Sequence, residues 1–249
     1  MIDAPAHTTV AGCVTGRGPL GEINFNTSSK RAVLCFPAFG VPAPWLEPFG
    51  AVDYENFGLS TLLAGVWTKT INNEGYWVSP SNKEMAGVLK PEVIVTSAIN
   101  DASTDANFLN ENGIVTYFTS FGTGYRTWGN RSAAWPTDTA VDNFLPVLMT
   151  ADVIDESIEL AMLPFIDKPL TNATIDAIKE TVNGFLNSLV QRGAILPGAE
   201  CIYDPAENPI SELALGHITF LDKYLPPTPA ERITFKRYLA TELLANLGQ

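Results

Sequence analysis

Histidine, cysteine and basic side chains are all scarce in this chain. Two histidines, His7 and His217, are the only candidates for a base in nucleophilic catalysis, and no Gly-x-Ser-x-Gly turn accompanies them. Cys13, Cys35 and Cys201 lie far apart and form no Cys-x-x-Cys pair, which argues against a zinc ligand set and a disulfide framework. They read as small apolar fillers in a reducing compartment. Lysine and arginine total 15 against 27 acids, a net charge of −12 with a pI near 4.5. Phosphate backbones repel such a chain, so no nucleic-acid partner is expected. The charge keeps subunits soluble and can match a basic patch on a partner, solubility being the plainer reading. No run of about 18 apolar residues occurs, so no spanning helix and no membrane partner are expected. Met1 to Gly12 lacks the basic segment and apolar core of a secretory signal, which points to the cytosol.

The motifs that are present are near misses. Gly16, Gly18 and Gly21 spell Gly-x-Gly-x-x-Gly, a spacing that cradles a pyrophosphate only between a strand and a helix. The next stretch, Glu22–Asn26, is a poor helix start, and no acid ends the nearby apolar run to hold a ribose. Asp155, Glu156 and Glu159 read as a solvated helix face without further converging ligands. The sequons at Asn26, Asn130 and Asn172 mean little without a secretory signal. No cofactor and no metal are expected.

Hydrophobic residues make up 46% of the 249, enough for one large or two small domains. Met1–Pro5 resembles the end of a strand. Ala32–Phe36 is a buried strand by its continuous apolar run. Four prolines make residues 37–50 an irregular crossing. Residues 54–71 carry a helical stripe of Leu59, Leu62, Leu63, Val66 and Trp67, closed by a turn at 72–75. Val93–Val95 reads as a strand, Asp105–Asn112 as a short helix stopped by Gly113, and Ile114–Thr119 as a strand. A loop-rich block at 122–139 suggests a domain boundary within 122–150. Two helices come next, from about Asp152 to Phe165 and from about Thr174 to Arg192, with Gly193 as the stop. The first presents Val153, Ile154, Ile158, Ala161, Met162 and Phe165. Residues 216–224 and 231–239 alternate like strands, and Pro226, Pro227 and Pro229 between them resist a tight hairpin. The last strand can therefore reach away from its own domain.

Three polar blocks stand out: residues 75–88 (GYWVSPSNKEMAGV), 109–118 (LNENGIVTYF) and 124–131 (GYRTWGNR). Such blocks, rich in Asn, Gly, Trp, Tyr and Arg, suit turns whose side chains lock neighbouring segments together. Arg126, Trp128 and Arg131 offer charge, donors and a stacking face, either for an internal tie or for a subunit contact. In this order and spacing the blocks resemble the tail sheath proteins of contractile bacteriophages and related injection machines. The Met1–Pro5 and 30–41 segments, the helix pair at 152–192 and the PAERITFK stretch at 229–236 extend the resemblance over most of the chain.

The resemblance implies an α/β fold with mixed sheets flanked by helices. It implies part of a subtilisin-like middle domain over 1–122, serving as scaffold, and a C-terminal sheath domain over 123–249. Residues from about 231 match the family's C-terminal arm, which adds a strand to neighbouring subunits. Arg232, Ile233, Phe235 and Tyr238 are the further candidate contacts. The implied function is a structural subunit that polymerises around a tail tube and contracts to drive it through the host envelope. The implied partners are other sheath subunits, the tail tube protein, the baseplate and the tail terminator. The implied location is the virion tail, assembled in the host cytoplasm. The family's N-terminal portion has no counterpart here, so the chain is expected to be a piece of a longer protein and to associate weakly alone. The alternatives are a degenerate subtilisin-like hydrolase and a nucleotide-binding enzyme.

Overall fold

The computed structural model of the chain describes residues 1–4, 9–15, 27–43, 54–99, 101–119, 122 and 124–246. His7, Gly16, Gly18, Gly21 and Asn26 lie outside the described residues.

The continuous apolar runs build the main sheet. Strand β2 (Leu34–Cys35) runs parallel to β1 (Ile2–Asp3) on one side and to β6 (Ile114–Thr119) on the other. Burial on both faces explains why these strands do not alternate. β7 (Tyr125–Trp128) joins antiparallel to β6, with Thr116 opposite Trp128 and Thr119 opposite Tyr125. It lies beyond the boundary expected at 122/123, yet it belongs to this first sheet. Helices α1 (Val10–Thr15), α2 (Leu59–Glu74) and α3 (Asp105–Glu111) pack onto the sheet. Leu34, Phe39, Leu59, Leu63, Leu109 and Tyr117 fill the core between them. Phe39, Tyr117 and Tyr125 meet edge to face at 5.1–5.6 Å.

The stretch expected as a helix from residue 54 divides in two. Tyr54–Phe57 is strand β4, antiparallel to β3 (Phe39–Pro42), with β5 (Lys90–Pro91) on the far side of β3. The helix begins at Leu59 because the Asp3 carboxylate accepts from Ser60 N–H (2.8 Å) and Ser60 Oγ (2.5 Å) in its first turn. A side chain on Gly58 would occupy the place of that carboxylate. The helix continues through the Asn72–Glu74 turn expected from sequence and stops at Gly75, whose φ is 114°. Val93–Val95 is not a strand. Val95 N–H donates to Tyr117 Oη at 2.9 Å, so a side chain takes the place of a neighbouring strand.

The second half is a helix pair beside a small antiparallel sheet. Helix α4 spans Leu145–Met162 and ends in a 3-10 turn at Leu163–Phe165. It begins seven residues before the expected Asp152, because Pro146 sits in the first turn, where its missing N–H costs nothing. Its buried residues are accordingly Leu145, Pro146, Val147, Thr150 and Ile154, while Ile158 and Met162 are half-buried. Helix α5 (Asn172–Arg192) starts at the Thr171 side-chain cap and ends at Gly193, left-handed with φ 75°. Val182, Leu186 and Leu189 of α5 pack with Ile154, Ile195 and Cys201. β8 (Glu200–Ile202) pairs with β9 (Leu221–Lys223), and α6 (Ile210–Ala214) lies between them in the chain. The strand expected over 216–224 thus shrinks to its last third. Residue 219 is held by buried Asn208, which accepts from Thr219 N–H (2.7 Å) and donates to its carbonyl (2.9 Å). The strand expected over 231–239 has no regular structure in the single chain. All three cysteines are buried, and burial pushes the Cys201 thiol up to about 12, with Asp222 beside it adding to the rise. Mixed sheets with helices make the fold α/β, as expected.

Residues 130–145 tie the halves together. Ala133 N–H donates to Ala32 O, Leu145 N–H to Asn130 O, and Ser132 Oγ to Asn143 Oδ1. Arg31 forms a bidentate pair with Asp152 at 2.7 Å, and Lys30 meets Asp138 (2.9 Å) and Asp142 (2.8 Å). The Ala140 N–H, and then Lys30, hold the Asp138 carboxyl below its usual 3.8. A depressed carboxyl stabilises the fold above its unfolded pKa, and that contribution is lost as pH falls through the folded value. Asp138→Asn should therefore lower Tm at pH 7, with the gap to the parent closing as pH drops below 3.8. A gap of constant size in a thermal series across pH would refute this.

Candidate assembly interface

The three polar blocks come together around β7. On one side β7 pairs with β6, and on the other it takes residues 80–85. Asn82 N–H donates to Thr127 O (2.7 Å), Thr127 N–H to Lys83 O (2.9 Å) and Met85 N–H to Tyr125 O (2.9 Å). Buried Thr127 Oγ1 donates to Pro80 O at 2.6 Å, and Gly129 N–H donates to Ser81 Oγ at 3.0 Å. Both edges of β7 are therefore satisfied within the chain.

Each sequence candidate in this region has an internal partner. Arg126 Nη1 donates to Asn82 O (2.7 Å) and Asn82 Oδ1 (3.2 Å). Trp128 stacks on Phe118 with centroids 4.7 Å apart. With the Asn110 amide turned to satisfy its neighbours, Trp128 Nε1 donates to Asn110 Oδ1 at 3.1 Å, and the amide nitrogen donates to Ile114 O and Trp128 O. Arg131 lies over the rings of Trp135 and Phe144 and pairs with Glu231 of its own chain. Asn130, the sequon residue, is buried.

The small sheet is closed on one side only. Cys201 N–H donates to Asn183 Oδ1 (2.8 Å), and Asn183 Nδ2 donates to Cys201 O (3.4 Å), so this α5 side chain seals the outer edge of β8. Residues of an antiparallel strand face alternate edges. With Cys201 facing outward, Glu200/Lys223 and Ile202/Leu221 are the bonded pairs. Asp222 N–H and C=O then point to the far edge of β9. No strand pairs with that edge among the described residues. Beyond it, Tyr224 Oη donates to Asp155 at 3.3 Å; burial, and then the charge of Asp155, push the phenol up to about 12.

The chain then leaves the body. Pro226 is buried, but residues 230–239 are all exposed. Ile233, Phe235, Tyr238 and Leu239 are 71–89% exposed, and Arg232 lies among them. Of the sequence candidates, these arm residues face outward. The sequence reading missed Asn183 and Asn208, whose amides stand in for strands. An Asn within a helical stripe carries no signal for that role.

The described candidates for catalysis lie apart from one another. His217 lies in the turn after α6, not in a strand as expected, and its Nδ1 meets Glu212 Oε2 at 3.0 Å on the surface. Asp155 accepts from Tyr224, while Glu156 and Glu159 are exposed. Among the described residues no group of three or more His, Cys, Asp or Glu could hold a metal ion, and no helix is long and apolar enough to cross a membrane.

The described residues thus form an α/β body with an exposed C-terminal arm. Two family models tile it: the phage tail sheath protein central domain matches residues 1–133, and the phage tail sheath C-terminal domain matches residues 141–240. The chain belongs to the phage tail sheath protein family, a family of structural proteins rather than enzymes. It is 44% identical over 251 residues to the tail sheath protein of Burkholderia phage BcepMu, covering 99% of this chain and 50% of that protein. To the tail sheath protein of Escherichia phage P2 it is 28% identical, over 74% of this chain and 45% of that one. The chain spans about half the length of the curated relatives it matches. Its fold is similar to the contracted sheath of an extracellular contractile injection system, PVC (TM-score 0.77, 18% identity, 96% of this chain and 63% of that one). The contracted helical sheath of the anti-feeding prophage gives a TM-score of 0.74 at 21% identity, over 95% of this chain and 60% of that one.

The clasp sets one prediction. Gly129 has φ 121°, and an added Cβ would lie 2.7 Å from the Asn110 side-chain amide and 3.2 Å from the Val115 backbone. Gly129→Ala should cost about 2–4 kcal/mol in a denaturant titration, combining strain and overpacking. A loss under about 0.5 kcal/mol, the range of ordinary surface changes, would contradict the clasp.

Proposed function

We propose that this chain is a structural subunit of a contractile tail sheath, joined to its neighbours by exchange of the C-terminal arm. One observation carries the reading. Residues 231–239 alternate like a strand yet lie exposed and outside any sheet, while no described strand of the same molecule pairs with the β9 edge. An edge accepts a strand from another chain through main-chain hydrogen bonds, and alternate side chains set the register. Ile233 and Phe235 share one side of the arm and supply the apolar anchors. Arg232, Lys236 and Arg237 make the arm basic in an otherwise acidic chain, which draws it to another copy. A head-to-tail contact that does not close on itself propagates into a helical array.

The rest of the function extends from the family. The array surrounds a tail tube in the virion, between a baseplate and a terminator, and contraction drives the tube through the host envelope. Two packings of one subunit are required, the extended one metastable. Residues up to about 133 form the middle domain and residues from about 141 the C-terminal domain, with the linker tied down by Arg31, Lys30 and Arg131. Arg126 and Trp128, both half-buried, shape part of the surface that a neighbouring subunit would meet.

Electron microscopy of the protein expressed alone at its natural length tests the reading. Tubes or fibres are expected from the parent. Ile233→Asp combined with Phe235→Asp should leave monomers with Tm within about 2 °C of the parent, because the replaced side chains are exposed. Tubes from the double variant would refute arm exchange.

A further inference from the structure

Among the described residues, Glu231 is the last of the arm root with a hydrogen bond to the body. The segment before it is fixed at its start, where Leu196 N–H donates to Leu225 O at 2.9 Å and Pro226 is buried. Three prolines, Pro226, Pro227 and Pro229, stiffen the stretch leading to Glu231. At the far end the Glu231 carboxylate accepts from Arg131 Nε (2.9 Å) and Nη2 (2.7 Å), a fork-to-fork pair. The guanidinium carbon is 4.2 Å from the Trp135 ring centroid and 3.6 Å from that of Phe144, and the side chain is only 15% exposed. Stacking fixes the plane of the fork, and burial limits screening of the pair by salt. The receiving groups all sit on the linker that ties the halves, where Arg131 and Phe144 form a backbone bridge. Beyond Glu231, residues 232–239 are all exposed.

We propose that Arg131 and Glu231 form the anchor of the arm, so that the arm turns at Arg232 and does not peel away from Pro226. The proposal rests on arm exchange and adds where the moving part begins. The anchor sets reach. Releasing residues 226–231 would lengthen the arm by roughly 20 Å at about 3.3 Å per residue. An arm that must stay paired while subunits rotate needs a fixed root, because slack of that size would let the pairing register slip. Arg131 and Glu231 thus act as positioning residues for the arm.

Spin-label distances in the monomeric chain test this. The native cysteines are buried, so Thr228→Cys, Thr234→Cys and a reference at Thr181→Cys on α5 can be labelled selectively. The Thr181–Thr228 distribution should be narrow and the Thr181–Thr234 distribution broad. Glu231→Gln keeps the side chain's size but removes its charge. It should broaden the Thr228 distribution at least twofold while Tm changes little, since Glu231 is exposed. A merely structural contact would move Tm and leave the root's distribution alone. A broad Thr228 distribution in the parent, or a narrow one in Glu231→Gln, would overturn the proposal. Failure of arm exchange would show instead as absent tubes, with the root distances unaffected.

Discussion

Backbone N–H and C=O groups at the margins of a sheet demand partners, and most of this fold can be understood by asking what meets that demand. Side chains meet much of it here. Tyr117 Oη serves Val95, the Asn208 amide serves Thr219, Thr127 Oγ1 serves Pro80, and the Asn183 amide closes β8 at Cys201. A buried peptide group left without such a partner would cost on the order of 1–3 kcal/mol, so each substitute contributes to holding its segment in place. The edge of β9 at Asp222 has no such substitute among the described residues. One margin of the small sheet is sealed by a fitted side chain, and the other is the natural place for another molecule's strand.

The same demand explains the clasp. β7 lies between β6 and the 80–85 segment, so three blocks separated in sequence meet in one place. Gly129 lets Asn110 and Val115 approach, and the Trp128–Phe118 stack covers the join. The clasp is continuous with the linker that carries Arg131, Trp135 and Phe144. The arm is therefore rooted in the part of the molecule that also holds the two halves together. Movement of the arm at its root would be resisted by the body rather than by a loop.

Much of this was legible in the sequence. Ile114–Thr119 announced itself by an unbroken β-branched and aromatic run, and α5 by its stripe and Gly193, though its Thr171 cap places the start two residues before the expected Thr174. The family was legible in the polar blocks, where Gly129, Trp128 and Thr127 lock neighbouring segments together. The misses share a cause. Residues 54–57 and 93–95 were misread because a tertiary partner, β3 in one case and Tyr117 in the other, decides their form. The start of α4 was hidden by Pro146, which marks a break in most positions but not in a first turn. The candidates Arg126, Trp128 and Arg131 were chosen for chemistry that suits both an internal tie and an interface, and sequence alone cannot say which side of the chain they face. The arm is the instructive case: its alternation is that of a strand, but the single chain offers it no ladder.

The proposed arm exchange requires the β9 edge, which no described strand of one subunit pairs with, to take up a neighbour's arm on assembly. Amide hydrogen exchange at Asp222 reads this directly, comparing monomer with assembled tubes. The account predicts rapid exchange in the monomer and protection of at least a hundredfold once subunits join. Protection already present in the monomer, or an Asp222 amide that still exchanges freely in the tubes, would contradict it.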